Sequence, residues 1–133
     1  MTLAVTTTIL NDGPKLATVK FTGRVHTDTT GAEAAVVKVD ASALSPVPTN
    51  IKIQRAWISS TITGGQYLEF DGGTTNGIAL VIADDTDAYL DFRSFGGIQT
   101  NATGTLTHDI TLTNVTTLVV GDAYSIILEV SKS

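Results

Sequence analysis

From Leu3 onward apolar and polar residues alternate with a period of two, and no window carries the i, i+3, i+4, i+7 stripe of an amphipathic helix. Leu3 to Leu10 reads as a strand, and Asn11-Asp12-Gly13-Pro14 supplies turn formers, a residue free to take positive φ, and a fixed φ. Lys15 to Gly23 follows as a second strand, with Ala17, Val19 and Phe21 on its core face. His26 to Glu33 is a polar loop. Ala35, Val37 and Val39 then alternate with Val36, Lys38 and Asp40 in a third strand. Asp40 is placed to cap one helical turn to Leu44 before Ser45-Pro46-Val47-Pro48 breaks the pattern.

The apolar face of Ile51 to Ile62 switches from Ile51 and Ile53 to Ala56 and Ile58, which predicts a bulge near Gln54 and Arg55. Gly64-Gly65 and the Tyr67 to Asp71 run, with Leu68 and Phe70 on one side, predict a hairpin. Ile78 to Ala83 is a continuous apolar run, expected to be covered on both faces. After the acidic corner Asp84-Asp85-Thr86-Asp87, Tyr89 to Arg93 alternates with Leu90 and Phe92 inward, and Ser94 to Gly104 is the longest loop. Leu106, His108, Ile110 and Leu112 form the apolar side of an expected strand whose outer side is Thr107, Asp109, Thr111 and Thr113. Tyr124, Ile126, Leu128 and Val130 line a C-terminal strand apolar enough to be central in its sheet or paired at an interface. The count is eight or nine short antiparallel strands, with no linker and no repeat. We therefore expect an all-β, jelly-roll-like β-sandwich spanning 1–133 as one domain, with 1–8 as a candidate N-terminal arm.

Composition narrows the function more than the fold. Hydrophobic residues reach 42% and charged ones only 16%, with threonine the commonest residue, so the surface is sparsely charged and suited to close protein contact. A formal net charge of −5, with eight scattered basic residues, disfavours nucleic acid, which requires clustered Lys and Arg. Cysteine is absent, which removes disulfides, thiolate metal sites and cysteine nucleophiles. The N-terminus lacks a basic n-region, and no run approaches the roughly 20 apolar residues of a membrane helix. The expectation is a soluble protein made without a cleaved signal and with no membrane partner.

Residues able to carry chemistry are few. His26 lies beside Asp28 in a loop, and His108 beside Asp109 on a strand whose alternation points the two to opposite sides, so neither builds a triad. Asp84, Asp85 and Asp87 lack the spacing of an EF-hand loop, and Glu69 and Asp71 share one strand face where a polar exterior is expected. The glycine pairs 64–65, 72–73 and 96–97 lack the lysine and helix of a phosphate-binding loop. Asn101-Ala102-Thr103 and Asn114-Val115-Thr116 match the glycosylation sequon by chance in this reading. Trp57, Tyr67, Tyr89 and Tyr124 are candidates for stacking on sugar, with Tyr67 and Tyr89 expected to be exposed. No catalytic, cofactor-binding or metal residue is expected, and no enzyme activity.

Three stretches carry a resemblance. They are Leu10-Asn11-Asp12-Gly13-Pro14 with Val19-Lys20-Phe21-Thr22-Gly23; Val37-Lys38-Val39-Asp40 with Ala43-Leu44-Ser45; and Phe95-Gly96-Gly97-Ile98-Gln99-Thr100-Asn101 before Asp109-Ile110-Thr111-Leu112-Thr113. Their order resembles small all-β structural proteins of tailed bacteriophages, some of them capsid cement or decoration proteins. The resemblance implies a sandwich on the virion surface, head favoured over tail, made in the host cytoplasm, and it transfers no catalytic residue. It further implies a homo-oligomer, trimer favoured, whose partner is the major capsid protein. Thr2, Leu3, Ala4, Val5, Thr6, Thr7 and Thr8 are the expected capsid contact, since such an arm can add a strand to an exposed edge. The alternative is a tail or fibre module touching host carbohydrate through Tyr67, Tyr89 or the 94–104 loop.

Overall fold

A computed structural model describes residues 3–25, 33–115 and 119–133. Its strands are β1 (Leu3–Asp12), β2 (Leu16–Val25), β3 (Val36–Val39), β4 (Ile51–Ser60), β5 (Gln66–Phe70), β6 (Gly77–Ile82), β7 (Thr86–Asp91), β8 (Ile110–Asn114) and β9 (Ala123–Lys132). They form two antiparallel sheets, β1-β2-β9-β4-β7 and β3-β8-β5-β6. Strands pair β2 with β9, β3 with β8, β4 with β7 and β5 with β6, so the chain is one long folded-back ribbon rolled into two layers. That winding is a jelly roll, with β1 added outside β2.

Alternation decides which face each strand buries. In β2, Ala17, Val19, Phe21 and Val25 point inward, and in β9 Tyr124, Ile126, Leu128 and Val130 do the same. They meet Leu68, Phe70, Ile110 and Leu112 of the other sheet in a single core. The central position expected for the C-terminal strand is observed, since β9 pairs on both sides. The predicted bulge in β4 is present as a register shift between Ile53 and Arg55. Asp40 caps the turn Ala41–Ala43 by accepting from the Ser42 N–H at 2.9 Å.

Four expectations are corrected. The Gly64-Gly65 turn does not close a hairpin: β4 and β5 lie in different sheets, and the turn carries the chain across the sandwich. The apolar run 78–83 is an edge strand, with Ile78 and Val81 exposed, because the fold places β6 last in its sheet. The strand expected from Leu106 begins only at Ile110, since His108 takes φ +64, a conformation no strand continues through. Thr111, expected outside, is buried between its cross-strand neighbours Val37 and Glu69.

Candidate functional site

β1 is the least protected edge among the described residues. Its ten residues pair only with β2, and from Val5 to Leu10 every side chain is exposed. Val5, Thr7 and Ile9 lie on the core side, opposite Gly23, Phe21 and Val19, yet β1 overhangs the smaller sheet and the other layer does not cover them. No charge interrupts the strand before Asp12. The other edges are guarded. β7 carries Asp87 and Asp91, β3 has only four residues, and Asn101 reaches across the start of β6 to the Ile78 carbonyl. Of the seven expected contact residues, Leu3 to Thr8 belong to this strand, and Thr2 lies outside the described residues.

The C-terminal end of β1 is anchored. Lys132 Nζ donates to Asp12 Oδ1 and to the Ser45 carbonyl at 3.0 Å, and the Ser45 N–H donates to Asp12 Oδ2 at 2.8 Å. The Lys132 hydrogen bond, then that from Ser45, holds the Asp12 carboxyl below the usual carboxylate range. Asp12 thereby joins the end of β1 to the last strand.

The outer face of the larger sheet is a second surface. Cross-strand register lays Thr6, Thr22, Ser125, Ser59 and Asp87 in one row, and Thr8, Lys20, Ile127, Trp57 and Tyr89 in the next. Trp57 and Tyr89 contact each other with centroids 5.3 Å apart, and the Arg55 guanidinium sits 5.1 Å from the Trp57 ring. Arg55 is gripped by Glu129, with Nε to Oε1 at 3.0 Å, and Glu129 followed by Tyr89 raises its pKa above the ordinary guanidinium value. Asp91, bonded by the Arg93 side chain and N–H, is held down to about 2. A shallow depression of about 330 Å³ lies over Trp57, Ser59, Asp87, Tyr89 and Ser125, and another of about 380 Å³ lies over Thr6, Thr8, Lys20 and Thr22.

A buried polar cluster occupies one end of the core. Lys38 Nζ donates to Glu33 Oε1, Tyr124 donates to Glu33 Oε2 at 2.7 Å, and the Glu33 N–H donates to Asn114 Oδ1 at 2.8 Å. Burial first, then Glu33, pushes the Tyr124 phenol far above its ordinary range. Lys38 turns inward because β3 shifts register between Val37 and Val39, which puts two consecutive side chains into the core. This cluster is structural in geometry: every member is enclosed, and its ions are paired.

The remaining expected residues are dispersed. Tyr67 and Tyr89 lie on opposite outer faces of the sandwich, and Tyr124 is buried, so the sugar-stacking candidates do not form one site. His26 and Asp28 lie outside the described residues. Asp109 accepts from the Ala41 N–H at 2.8 Å, and burial raises its carboxyl. Glu69 accepts from Thr113, and Asp71 from Thr107, so each is occupied by a threonine. Among the described residues, no three His, Cys, Asp or Glu side chains converge in a metal-holding group. Asn114 of the second sequon is buried. Among the described residues no helix is long and apolar enough to cross a membrane. The 94–104 loop is strapped down by Ile98, which exchanges hydrogen bonds with Ile53, and by Thr103, bridged to Thr75.

What the sequence reading missed was adjacency. Trp57 and Tyr89 were visible singly as aromatic residues, and their contact follows only from the pairing of β4 with β7. No family model, no curated protein and no solved structure matches this chain.

Proposed function

We propose that this chain is a non-enzymatic structural protein of a tailed-phage virion, a capsid cement or decoration protein that binds the major capsid protein shell and stabilises the head. The observation that carries this reading is β1: a ten-residue strand, free of charge before Asp12, with an open edge and an uncovered core-side face. A strand with these properties offers main-chain groups for β-augmentation and apolar side chains for the partner's pockets. The motif order around Asp12-Gly13-Pro14 and Phe95-Gly96-Gly97 supports the same assignment. The protein then acts as a homo-oligomer, trimer favoured, because many weak contacts on a symmetric shell multiply through avidity.

Removing residues 1–8 tests this. β2 stays paired with β9, and the side chains removed from Val5 onward are exposed, so the truncated domain folds. Full-length protein is expected to co-sediment with undecorated heads, and the truncated protein to stay in the supernatant while still unfolding in one cooperative thermal transition. Retained binding by the truncated protein would overturn the assignment of β1. Preference for isolated tails over heads would move the protein to the tail or fibre alternative.

A further inference from the structure

We infer that the outer face of the larger sheet is a binding platform for a neutral, extended saccharide chain lying across the strands. This goes beyond the β1 reading and rests chiefly on β4, β7 and β9, sharing Thr6 and Thr8 with it. The two rows supply the two kinds of contact that a sugar requires. Tyr89 is 50% exposed and, with Trp57 packed beside it, offers a ring against which the C–H face of a pyranose packs. Trp57 is itself held by Tyr89 and by the Arg55–Glu129 pair, so the aromatic rail is pre-organised.

The adjacent row ends in Asp87, Ser59 and Ser125, in direct cross-strand register. Among the described residues these three side chains make no hydrogen bond or ion pair within the protein, which leaves two hydroxyls and a carboxylate for sugar hydroxyls. Thr22 and Thr6 continue the row toward β1, and the two depressions lie end to end along it. Four inter-strand steps of about 4.8 Å make the platform about 19 Å long, which suits an oligosaccharide better than a single ring. Charge selects a neutral one: Asp87 closes the row, and the formal net charge of −5 repels a polyanion.

The test is affinity electrophoresis of the full chain through gels containing dextran, a mannan or a galactan, followed by titration calorimetry on whichever retards it. Three variants are compared: Tyr89→Ala, the pair Ser59→Ala with Asp87→Asn, and Tyr67→Ala on the opposite outer face as control. At least one polysaccharide is expected to retard the wild type. Tyr89→Ala and the pair are each expected to weaken binding about tenfold or more, with the thermal midpoint unchanged. Tyr67→Ala is expected to bind as the wild type does. No retardation by any of the three polysaccharides would overturn the inference, as would equal weakening by Tyr67→Ala. Should Tyr89→Ala unfold the domain, Tyr89→Phe with amide-shift mapping decides: shifts confined to the larger sheet, β1, β2, β9, β4 and β7, support the platform, and shifts in the smaller sheet overturn it.

Discussion

Lys38 illustrates how little a residue's type says about its surroundings. It sits on a strand between two valines, and alternation alone assigns it a face but not the core. The register shift after Val37 turns it inward, where Glu33 and Tyr124 enclose it with a side-chain exposure of 1%. A buried ion pair contributes little net stability, but leaving one charge without the other is costly. Lys38→Met is therefore expected to lower stability by about 3–5 kcal/mol in urea unfolding. The triple change Lys38→Met, Glu33→Leu and Tyr124→Phe, which removes every partner together, should recover most of that loss. A triple variant no more stable than the single one would show that the cluster has a role beyond mutual neutralisation.

At the scale of elements, turn chemistry was legible and turn destination was not. Gly64-Gly65 is a turn both by its residue types and in the structure, with both residues at positive φ. Whether it returns the chain to the same sheet or carries it to the facing sheet depends on where β5 finds its partners. The structure also shows why glycine is needed there. A Cβ on Gly65, at φ +84, would stand 2.4 Å from the Ile82 carbonyl, whereas one on Gly96, at φ +87, would meet open space. Gly96→Ala should cost about 1–2 kcal/mol, the left-handed penalty alone. Gly65→Ala should exceed that by a further 1–3 kcal/mol of strain. Chemical denaturation of the two variants checks the order, and equal losses would mean that the β6 end moves aside freely. The long C-terminal strand and the bulge in β4 were legible because each rests on a local pattern. The short β8 was not, because the turn at His108 interrupts a sequence whose alternation continues unbroken.

At the scale of the whole molecule, the two sheets differ in size, and that difference creates the exposed surface. Five strands face four, and β1 is the strand left over. Its core-side valine and isoleucine have the composition of buried residues but are more than two-fifths exposed. Apolar positions of this kind mark interaction surfaces when they form a contiguous strip. The proposed capsid contact is thus expected to depend on them. Val5→Lys with Ile9→Lys should leave the protein in the supernatant when it is spun with undecorated heads, where the parent chain sediments. The thermal midpoint of the domain should remain that of the parent. Sedimentation of the double variant with the heads would place the capsid contact on another face.

The sequence by itself determined the class of element, the approximate limits of most strands, the inward residues of β2, β5 and β9, and the bulge near Gln54. It could do so because side-chain alternation, turn chemistry and capping act over a few neighbouring residues. Only the tertiary structure decided which strands pair, that β6 and β1 lie at edges, that Tyr67 and Tyr89 face opposite ways, and that Lys38, Glu33 and Tyr124 meet. Those outcomes depend on contacts between residues far apart in the chain. Many alternating strands could form such contacts equally well one at a time, and packing around a single core selects among them.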